Sequence, residues 1–225
     1  MSRHLKAYNA PKSWTIPRKT TKWVIRPAAG AQPLEGALPI ALLLKQTGCA
    51  QTSRETRKIL NDKAVTVDGK VVKDGHFGVG FMDSIHIKPN IHLRGTLDAK
   101  GRLQFIPVPE AELSKKICKI TGKHVLKGGK IQLNLSHSRN ILAEKDTYAT
   151  GDSLLIELPS QKIAGHFPLA KGSTVFLTSG KHTGLVGTVD DIQGARIWCT
   201  QGKEKIETLK KFAFVIGKDK PAVKL

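Results

Sequence analysis

Residues 52–72, TSRETRKILNDKAVTVDGKVV, predict a short helix that packs on a β-hairpin. Thr52 and Glu55 stand three positions apart, which is the spacing of a reciprocal capping box at a helix start. Ile59 and Leu60 form the apolar side of the helix, and the intervening cations lie away from that side. We therefore expect a helix of roughly two to three turns, with positive charge along its first half.

The second half of this stretch predicts the hairpin. The short polar side chains in Asn61-Asp62-Lys63 compete for backbone hydrogen bonds and end the helix. Val65 and Val67 alternate with polar residues, as in a half-buried strand. Asp68-Gly69 is typical of a two-residue turn, because both positions of that turn take positive φ. Val71 and Val72 begin the return strand.

A second, apolar helix precedes this stretch. Leu38-Pro39 opens it, since proline is tolerated in the first turn, and Gly48 is a natural terminator. The helix should pack against Ile59 and Leu60 and complete a two-helix platform on the hairpin. Its apolar residues are Ile40, Leu42, Leu43 and Leu44, and the residues that continue the β-layer are Val79, Phe81, Ile85 and Ile87. The whole module spans about residues 36–88.

The first 35 residues read as a basic arm. Residues 1–34 contain seven Lys or Arg and no acid, and the first acid is Glu35. Prolines interrupt the segment, and neither helical nor strand periodicity is present. We expect the arm to be unstructured in the free protein and ordered only against another surface. A disordered basic tail is the alternative, although Trp14 and Trp23 are unusual for such a tail.

Residues 89–168 predict a small, mostly antiparallel β domain. Turn signals occur at residues 98–101, at Gly128-Gly129 and at Thr150-Gly151. A short helix is expected to begin at Pro109-Glu110 and to reach Lys116. The strand candidates are 91–97, 102–107, 117–121, 131–135 and 153–158.

Residues 169–225 predict a small β-barrel followed by a lysine-bearing tail. In KGSTVFLTSGKHTGLVGTVDDIQGARIWC, hydrophobic pairs alternate with Gly180, Gly184 and Gly187, which permit tight turns. Lys181 and His182 lie in one of these turns. The segment IETLKKFAFVIG supplies a further strand. Any small β-barrel would also fit this pattern.

The composition indicates a polyanionic partner. The chain of 225 residues carries 37 Lys or Arg against 18 acids, a formal charge of +19. Phosphate backbone is the usual partner of so basic a surface. We expect no membrane span, because no apolar run approaches the roughly 20 residues that one needs, and we expect no signal peptide. Three distant cysteines without a Cys-x-x-Cys pair favour a reducing cytosol and disfavour a zinc ribbon.

Two segments resemble known modules. The cap, basic helix, apolar pair and Asp-Gly hairpin of residues 52–72 resemble the S4 (S-four-type) RNA-binding module, which ribosomal proteins share with some RNA-modifying enzymes. The chain departs from the common pattern at Thr56, where the module usually has Ala. The glycine-spaced strands after residue 170 resemble the KOW motif, an SH3-like five-stranded barrel.

The order of these pieces resembles one family as a whole, the archaeal and eukaryotic small-subunit (30S/40S) ribosomal protein of S4e type. Its most specific pieces here are HLKAYNAPKSWTIPRKTTKW, GFMDSIHI, KGSTVFLTSGKHTGLVG and FAFVIGKDKP. The resemblance implies an α+β, mostly β protein with an S4-type module, a central antiparallel β domain and a C-terminal KOW barrel. It further implies a structural, non-enzymatic rRNA-binding protein of the cytoplasmic ribosome with ribosomal protein neighbours. The length, ending at Leu225, favours the archaeal form.

The candidate RNA-binding residues are mostly cations in clusters. In the arm they are Arg3, Lys6, Lys12, Arg18, Lys19, Lys22 and Arg26, with Trp14 as a stacking partner. In the module they are Arg54, Arg57, Lys58 and Lys63, with Thr52 and Ser53 at a helix start whose amides can receive a phosphate. In the barrel they are Lys181 and His182.

Enzymatic and metal-binding functions find little support in the sequence. Eight histidines are scattered; His86 falls in an alternating strand, and His137, near Arg139, is more plausible as an RNA contact than as a ligand. Thr96-Leu97-Asp98 lacks the Arg of the pseudouridine synthase motif, so Asp98 is interpreted as a turn residue. No Gly-rich lysine loop for nucleotide hydrolysis occurs. We expect no catalytic residue, metal, cofactor, membrane partner or small-molecule substrate. The alternative function is a dissociable nucleic-acid-binding factor in transcription elongation or RNA modification.

Overall fold

The computed structural model describes residues 4–126, 128–143, 146–202 and 204–225. Within these ranges two α-helices stand among nineteen strands, so the predicted α+β, mostly β fold class is confirmed. The chain divides into two compact units. The first unit comprises Met1–Thr96 with Arg102–Ser114, and the second comprises Leu97–Gly101 with Lys115–Leu225. The four-segment division drawn from the sequence remains a prediction about functional segments.

Both predicted helices belong to the first unit. Helix α1 spans Ile40–Gln46 behind Pro39, and the chain leaves it at Gly48, whose φ is +75°. Helix α2 spans Ser53–Asn61 with Thr52 as its N-cap, and the capping box is confirmed. Leu43, Leu44 and Leu60 are almost fully buried in this unit's core. The two helices pack against each other, as the apolar pattern predicts.

The strands of the first unit form three antiparallel sheets. They are β1 (His4–Lys6), β2 (Trp23–Ile25), β3 (Leu38–Pro39), β4 (Val65–Val67), β5 (Lys70–Val71), β6 (Gly78–Val79), β7 (Ser84–Ile87), β8 (Ile91–Leu97) and β9 (Leu103–Pro107). Strands β1 and β2 pair, β3 pairs with β6, and the main sheet has the order β5-β4-β7-β8-β9. Asp68 and Gly69 have φ of +51° and +76°, which confirms the two-residue turn between β4 and β5.

Two expectations for this unit are corrected. Strands β8 and β9 extend the module's sheet instead of joining the later strands, because β8 follows β7 through a short turn and pairs with it directly. Phe81 lies in a turn and not in a strand. The Asp83 carboxylate accepts a hydrogen bond from the Gly80 amide at 2.7 Å, and Met82 has a φ of +64°, so the chain reverses there.

The basic arm has structure of its own, contrary to the sequence-based expectation. Strands β1 and β2 form a two-stranded ribbon, and the Ala7 amide extends the pairing to the Lys22 carbonyl at 3.0 Å. Further bonds tie the arm to the rest of its unit: the Leu103 amide donates to the Ser13 carbonyl, and the Ala28 amide donates to the His76 carbonyl. Isolated short strands lack the periodicity of an amphipathic element, so the sequence pattern does not predict them.

The second unit begins with a five-stranded antiparallel sheet of order β12-β11-β10-β13-β14. Its strands are β10 (Lys115–Val125), β11 (Ile131–Leu135), β12 (Arg139–Ala143), β13 (Ser153–Glu157) and β14 (Ile163–Phe167). The sequence did not predict β12 or β14. The helix expected from Pro109 to Lys116 is wrong: only Glu110–Glu112 form a short 3-10 turn, because Lys115 and Lys116 already pair with β13.

The last five strands form the predicted C-terminal sheet around its own apolar core. They are β15 (Thr174–Leu177), β16 (Val186–Gln193), β17 (Arg196–Gln201), β18 (Glu204–Leu209) and β19 (Ala213–Gly217), in the order β18-β17-β16-β15-β19. Val175, Val189, Ile197 and Val215 are almost fully buried in this core. The architecture agrees with the predicted small antiparallel barrel.

A half-buried lysine joins the two sheets of the second unit. The Lys119 ammonium on β10 donates to the carbonyls of Lys210, Lys211 and Ala213 at 3.3, 3.0 and 2.6 Å. Burial, with the charge of Lys210 as a smaller cause, lowers the pKa of Lys119 to about 8. The ammonium form therefore still predominates at pH 7, where it can satisfy all three acceptors.

Candidate nucleic-acid interface

The start of α2 is fixed by a complete capping box. The Glu55 amide donates to the Thr52 hydroxyl at 3.2 Å, and the Glu55 carboxylate accepts from the amides of Gln51 and Thr52 at 2.8 and 3.5 Å. The buried Thr56, at the position where the S4 module commonly has Ala, donates its hydroxyl to the Thr52 carbonyl at 3.1 Å. This bond satisfies the extra polar atom, so Thr56 is accommodated without opening the helix start.

The capping box also decides which groups of the helix start can receive an anion. Its bonds, that from the Gln51 amide first, lower the pKa of Glu55. Glu55 is therefore ionised at neutral pH and occupies the amides of Gln51 and Thr52. The Thr52 hydroxyl is committed to the cap as well. A phosphate at this helix start can therefore bind the exposed Ser53 side chain and the amides of Ser53 and Arg54.

Four cations project from α2 and the turn that follows it. Arg54, Arg57, Lys58 and Lys63 are all exposed. Across the described part of the chain, Arg54, Arg57 and Lys58 form no ion pair. Their charges are thus not neutralised by the fold. Guanidinium groups can bind a phosphate with two parallel hydrogen bonds, so the two arginines suit a phosphate backbone in particular.

Lys45 is a further member of this cluster that the sequence analysis missed. Its ammonium donates to the Ser53 hydroxyl at 3.1 Å, so it lies beside the first turn of α2. The neighbouring Gln46 side chain donates to the Thr15 carbonyl of the arm at 2.9 Å. The end of α1 therefore lies between the arm and the start of α2 and brings both into one region. The available signal was a cation in the last turn of α1, a few residues before the capping box of α2.

The arm contributes exposed ammonium groups to the same unit. Lys6, Lys12, Lys19 and Lys22 are exposed, and Arg26 is half-buried. Arg3 lies outside the described residues. No acidic residue occurs before Glu35 in the sequence. The arm's exposed charge is therefore uniformly positive.

Two predicted arm residues have roles within the fold: Trp14 is buried and Arg18 bonds to the backbone. Trp14 is only 3% exposed, so it cannot serve as a stacking partner for a base in this conformation. Arg18 donates to the carbonyls of Tyr8, Ala10 and Pro11 at 3.2, 2.7 and 2.9 Å, which holds the loop after β1 in place. The alternation of charge with indole in the arm does not distinguish an inward from an outward side chain.

Lys181 and His182 lie in the second unit, in the turn between β15 and β16. Lys181 is exposed and His182 is half-buried. Only glycine fits at position 184 of this turn. The φ of Gly184 is +82°, and a Cβ atom at this position would lie 2.6 Å from the Asp98 carbonyl oxygen. Asp98 itself forms a tight turn, since its carboxylate accepts from the Lys100 amide at 2.7 Å. This agrees with the interpretation of Asp98 as a turn residue.

Two histidines, His86 and His92, form a close pair. His86 on β7 and His92 on β8 are opposite each other, with their Nδ1 atoms 2.9 Å apart. Burial, followed by the proximity of His92, lowers the pKa of His86. Among the described residues, no group of three or more His, Cys, Asp or Glu has the arrangement of a metal site. Nor does any helix in those ranges have the length and apolar character to cross a membrane.

Comparisons with known proteins agree with this architecture. Residues 1–35 match the RS4NT (NUC023) domain, residues 38–85 match the S4 domain, and residues 90–163 match the ribosomal family S4e. The crystal structure of the 30S ribosomal protein S4e from Thermoplasma acidophilum superposes with a TM-score of 0.71 at 28% identity, covering 81% of this chain and 95% of that one.

Relatives that align over nearly their full length are all small ribosomal subunit proteins eS4. The small ribosomal subunit protein eS4 of Methanocella arvoryzae is 42% identical, covering 98% of this chain and 96% of the relative. Those of Methanocaldococcus jannaschii and Archaeoglobus fulgidus are 38% and 37% identical, and each alignment covers 99% of this chain and 97% of the relative. The family resemblance of the sequence is confirmed: the chain belongs to the S4e family of small-subunit ribosomal proteins.

Proposed function

We propose that this protein is a structural constituent of the small ribosomal subunit that binds ribosomal RNA through the α2 cluster and the arm. We define the α2 cluster as Lys45, Arg54, Arg57, Lys58 and Lys63. The observation that carries the proposal is the fixed helix start of an S4 domain, beside which Arg54, Arg57 and Lys58 are exposed and form no ion pair with any described carboxylate. Such a surface has little use in an isolated protein, because like charges repel one another.

The mechanism follows from the geometry of this surface. Glu55 and Thr52 fix the direction of the first turn, and the buried Leu60 anchors the opposite side of the helix to the core. The side chains of Arg54 and Arg57 must then extend outward, near the positive end of the helix dipole. Cations contact phosphates and release counterions, so binding energy comes largely from charge and falls with salt. No catalytic step is required of the protein.

Several finer statements belong to the same proposal. The protein is bound to the ribosome in the cytoplasm, and neighbouring ribosomal proteins are further partners. Lys181 and His182 add a smaller contact from the second unit, where a glycine-held turn presents them. The family membership disfavours the alternative of a dissociable factor for transcription elongation or RNA modification.

Sedimentation of the native protein tests the proposal. At moderate salt the protein should co-sediment with small ribosomal subunits at one copy per subunit, because an assembled protein is held by many contacts at once. Absence from the subunits at the same salt, together with sedimentation alongside RNA polymerase or activity on free RNA, would favour the dissociable factor instead.

A further inference from the structure

Two aromatic side chains on the arm are exposed where burial would be the ordinary outcome. Tyr8 is 84% exposed, and Trp23 on β2 is 49% exposed. The same arm buries Trp14 almost completely, so the fold is able to enclose an indole when it needs one. Removing a large aromatic ring from water is favourable, so exposed rings are candidates for contact with a partner.

Two cations lie beside Trp23, and Tyr8 is close to both of them in the ribbon. Strand β1 pairs with β2 so that Lys6 stands opposite Trp23. The Lys22 ammonium lies 5.5 Å from the centroid of the Trp23 ring. Tyr8 follows two positions after Lys6, and the Ala7 amide between them bonds to the Lys22 carbonyl. Both rings and both ammonium groups therefore lie at the same end of the β1–β2 ribbon.

This combination matches one ligand chemistry better than others. Flat aromatic rings stack on nucleobases only where the bases are unpaired, because the bases of a duplex already stack on each other. Ammonium groups beside the rings suit the phosphates that flank such bases. An apolar protein partner would match the rings but not the concentration of positive charge around them.

We propose, resting on the proposed function, that Tyr8 and Trp23 stack on unpaired nucleobases of RNA while Lys6 and Lys22 bind the adjacent phosphates. The arm then distinguishes single-stranded RNA from duplex, whereas the α2 cluster binds phosphate backbone in either form. The stacking residues are thus different from Trp14, the indole that the sequence pattern favoured.

The test compares the full-length protein and its variants on two probes, a 12-nucleotide oligouridylate and a 12-base-pair RNA duplex. The variant Tyr8→Leu/Trp23→Leu keeps apolar side chains but removes the rings, and Tyr8→Phe/Trp23→Phe keeps them. Phe77→Leu, at an exposed ring outside the arm, is the matched control. Each lost base stack should weaken single-strand binding by about 5- to 150-fold. Duplex binding should stay within about 2-fold, as should both controls on both probes.

The outcomes separate the two levels of the proposal. Wild-type single-strand affinity in a folded Leu variant overturns the stacking inference and leaves the proposed function intact. Failure of the wild-type protein to bind either probe overturns both. Normal RNA binding with loss of incorporation into the subunit assigns the surface to a protein partner and overturns the stacking inference. If the double variant loses stability, Tyr8→Leu alone keeps the test valid, because that side chain is largely outside the fold.

Discussion

Neutralising two arginines of the α2 cluster should weaken RNA binding by an amount that the structure allows us to calculate. Arg54 and Arg57 are exposed and form no ion pair with any described residue, so replacing both with Gln removes two phosphate contacts and little else. Each contact contributes a slope of about 0.7–0.9 in log K against log salt. At 0.1 M salt, two contacts amount to about a 25- to 60-fold loss of affinity, or about 2 kcal/mol.

The assay is a salt titration of binding to a small-subunit rRNA fragment, for the wild-type protein and for Arg54→Gln/Arg57→Gln. The slope should fall by about 1.4–1.8, and charge reversal to Glu should raise the loss to several kcal/mol. The free energy of unfolding should change by less than about 0.5 kcal/mol, because both sites are exposed. Lys162→Gln/Lys205→Gln, which removes two exposed cations of the second unit, is the charge-matched control. A folded Arg54/Arg57 variant with unchanged affinity and slope would refute the reasoning.

Three further predictions concern the scaffold. Lys119→Met should lower the free energy of unfolding, measured in urea, by about 3 kcal/mol or more, since three carbonyls lose their cationic donor. Lys130→Met, at an exposed lysine, is the control, and an equally small loss in both variants would contradict this prediction. Because the capping box lowers the pKa of Glu55, the contribution of Glu55 to stability is complete above about pH 4.5 and is lost as pH falls further. Glu55→Gln should therefore flatten the pH dependence of the melting temperature between about pH 5 and 3. An unchanged pH profile would argue against the cap. The lowered pKa of His86 means that the unfolded chain takes up its proton first, so stability should fall as pH drops below about 6.5. His86→Gln should reduce that fall and exposed His124→Gln should not, and equal profiles for the two variants would remove the histidine pair from the account.

The local chemistry of the S4-type module was predictable because each signal there has one cause. The capping box depends on two side chains three residues apart, and Asp68-Gly69 depends on positive φ at adjacent positions. Both are properties of a few neighbouring residues, so no distant contact can easily override them. The same holds for Gly48 after α1.

Features without a clear local sequence signal were not predictable. Strands β12 and β14 each pair with the strand just before them, but their short runs carry weak alternation, so the pattern does not mark them as strands. The arm folds because Arg18 donates to carbonyls within the arm and the Ser13 carbonyl accepts from the Leu103 amide, and periodicity reveals neither contact. The orientation of the two indoles was not predictable either. Trp14 and Trp23 have similar sequence surroundings, yet Trp14 is buried and Trp23 is exposed.

The candidate site divides along the same line. The exposed cations of α2 follow from helix geometry, because Ile59 and Leu60 fix the inward side. Lys45 does not, because its position depends on how α1 packs beside α2.

Cross-linking within the assembled subunit tests the central claim most directly. A photo-reactive benzoylphenylalanine replaces Lys58 on the exposed side of α2, and in a control protein it replaces Glu207, an exposed carboxylate on β18 that pairs with Arg196. Both proteins are assembled into small subunits and irradiated. The account predicts cross-links from position 58 to ribosomal RNA and few or none from position 207. Assembled subunits in which position 58 yields no RNA cross-link would contradict it.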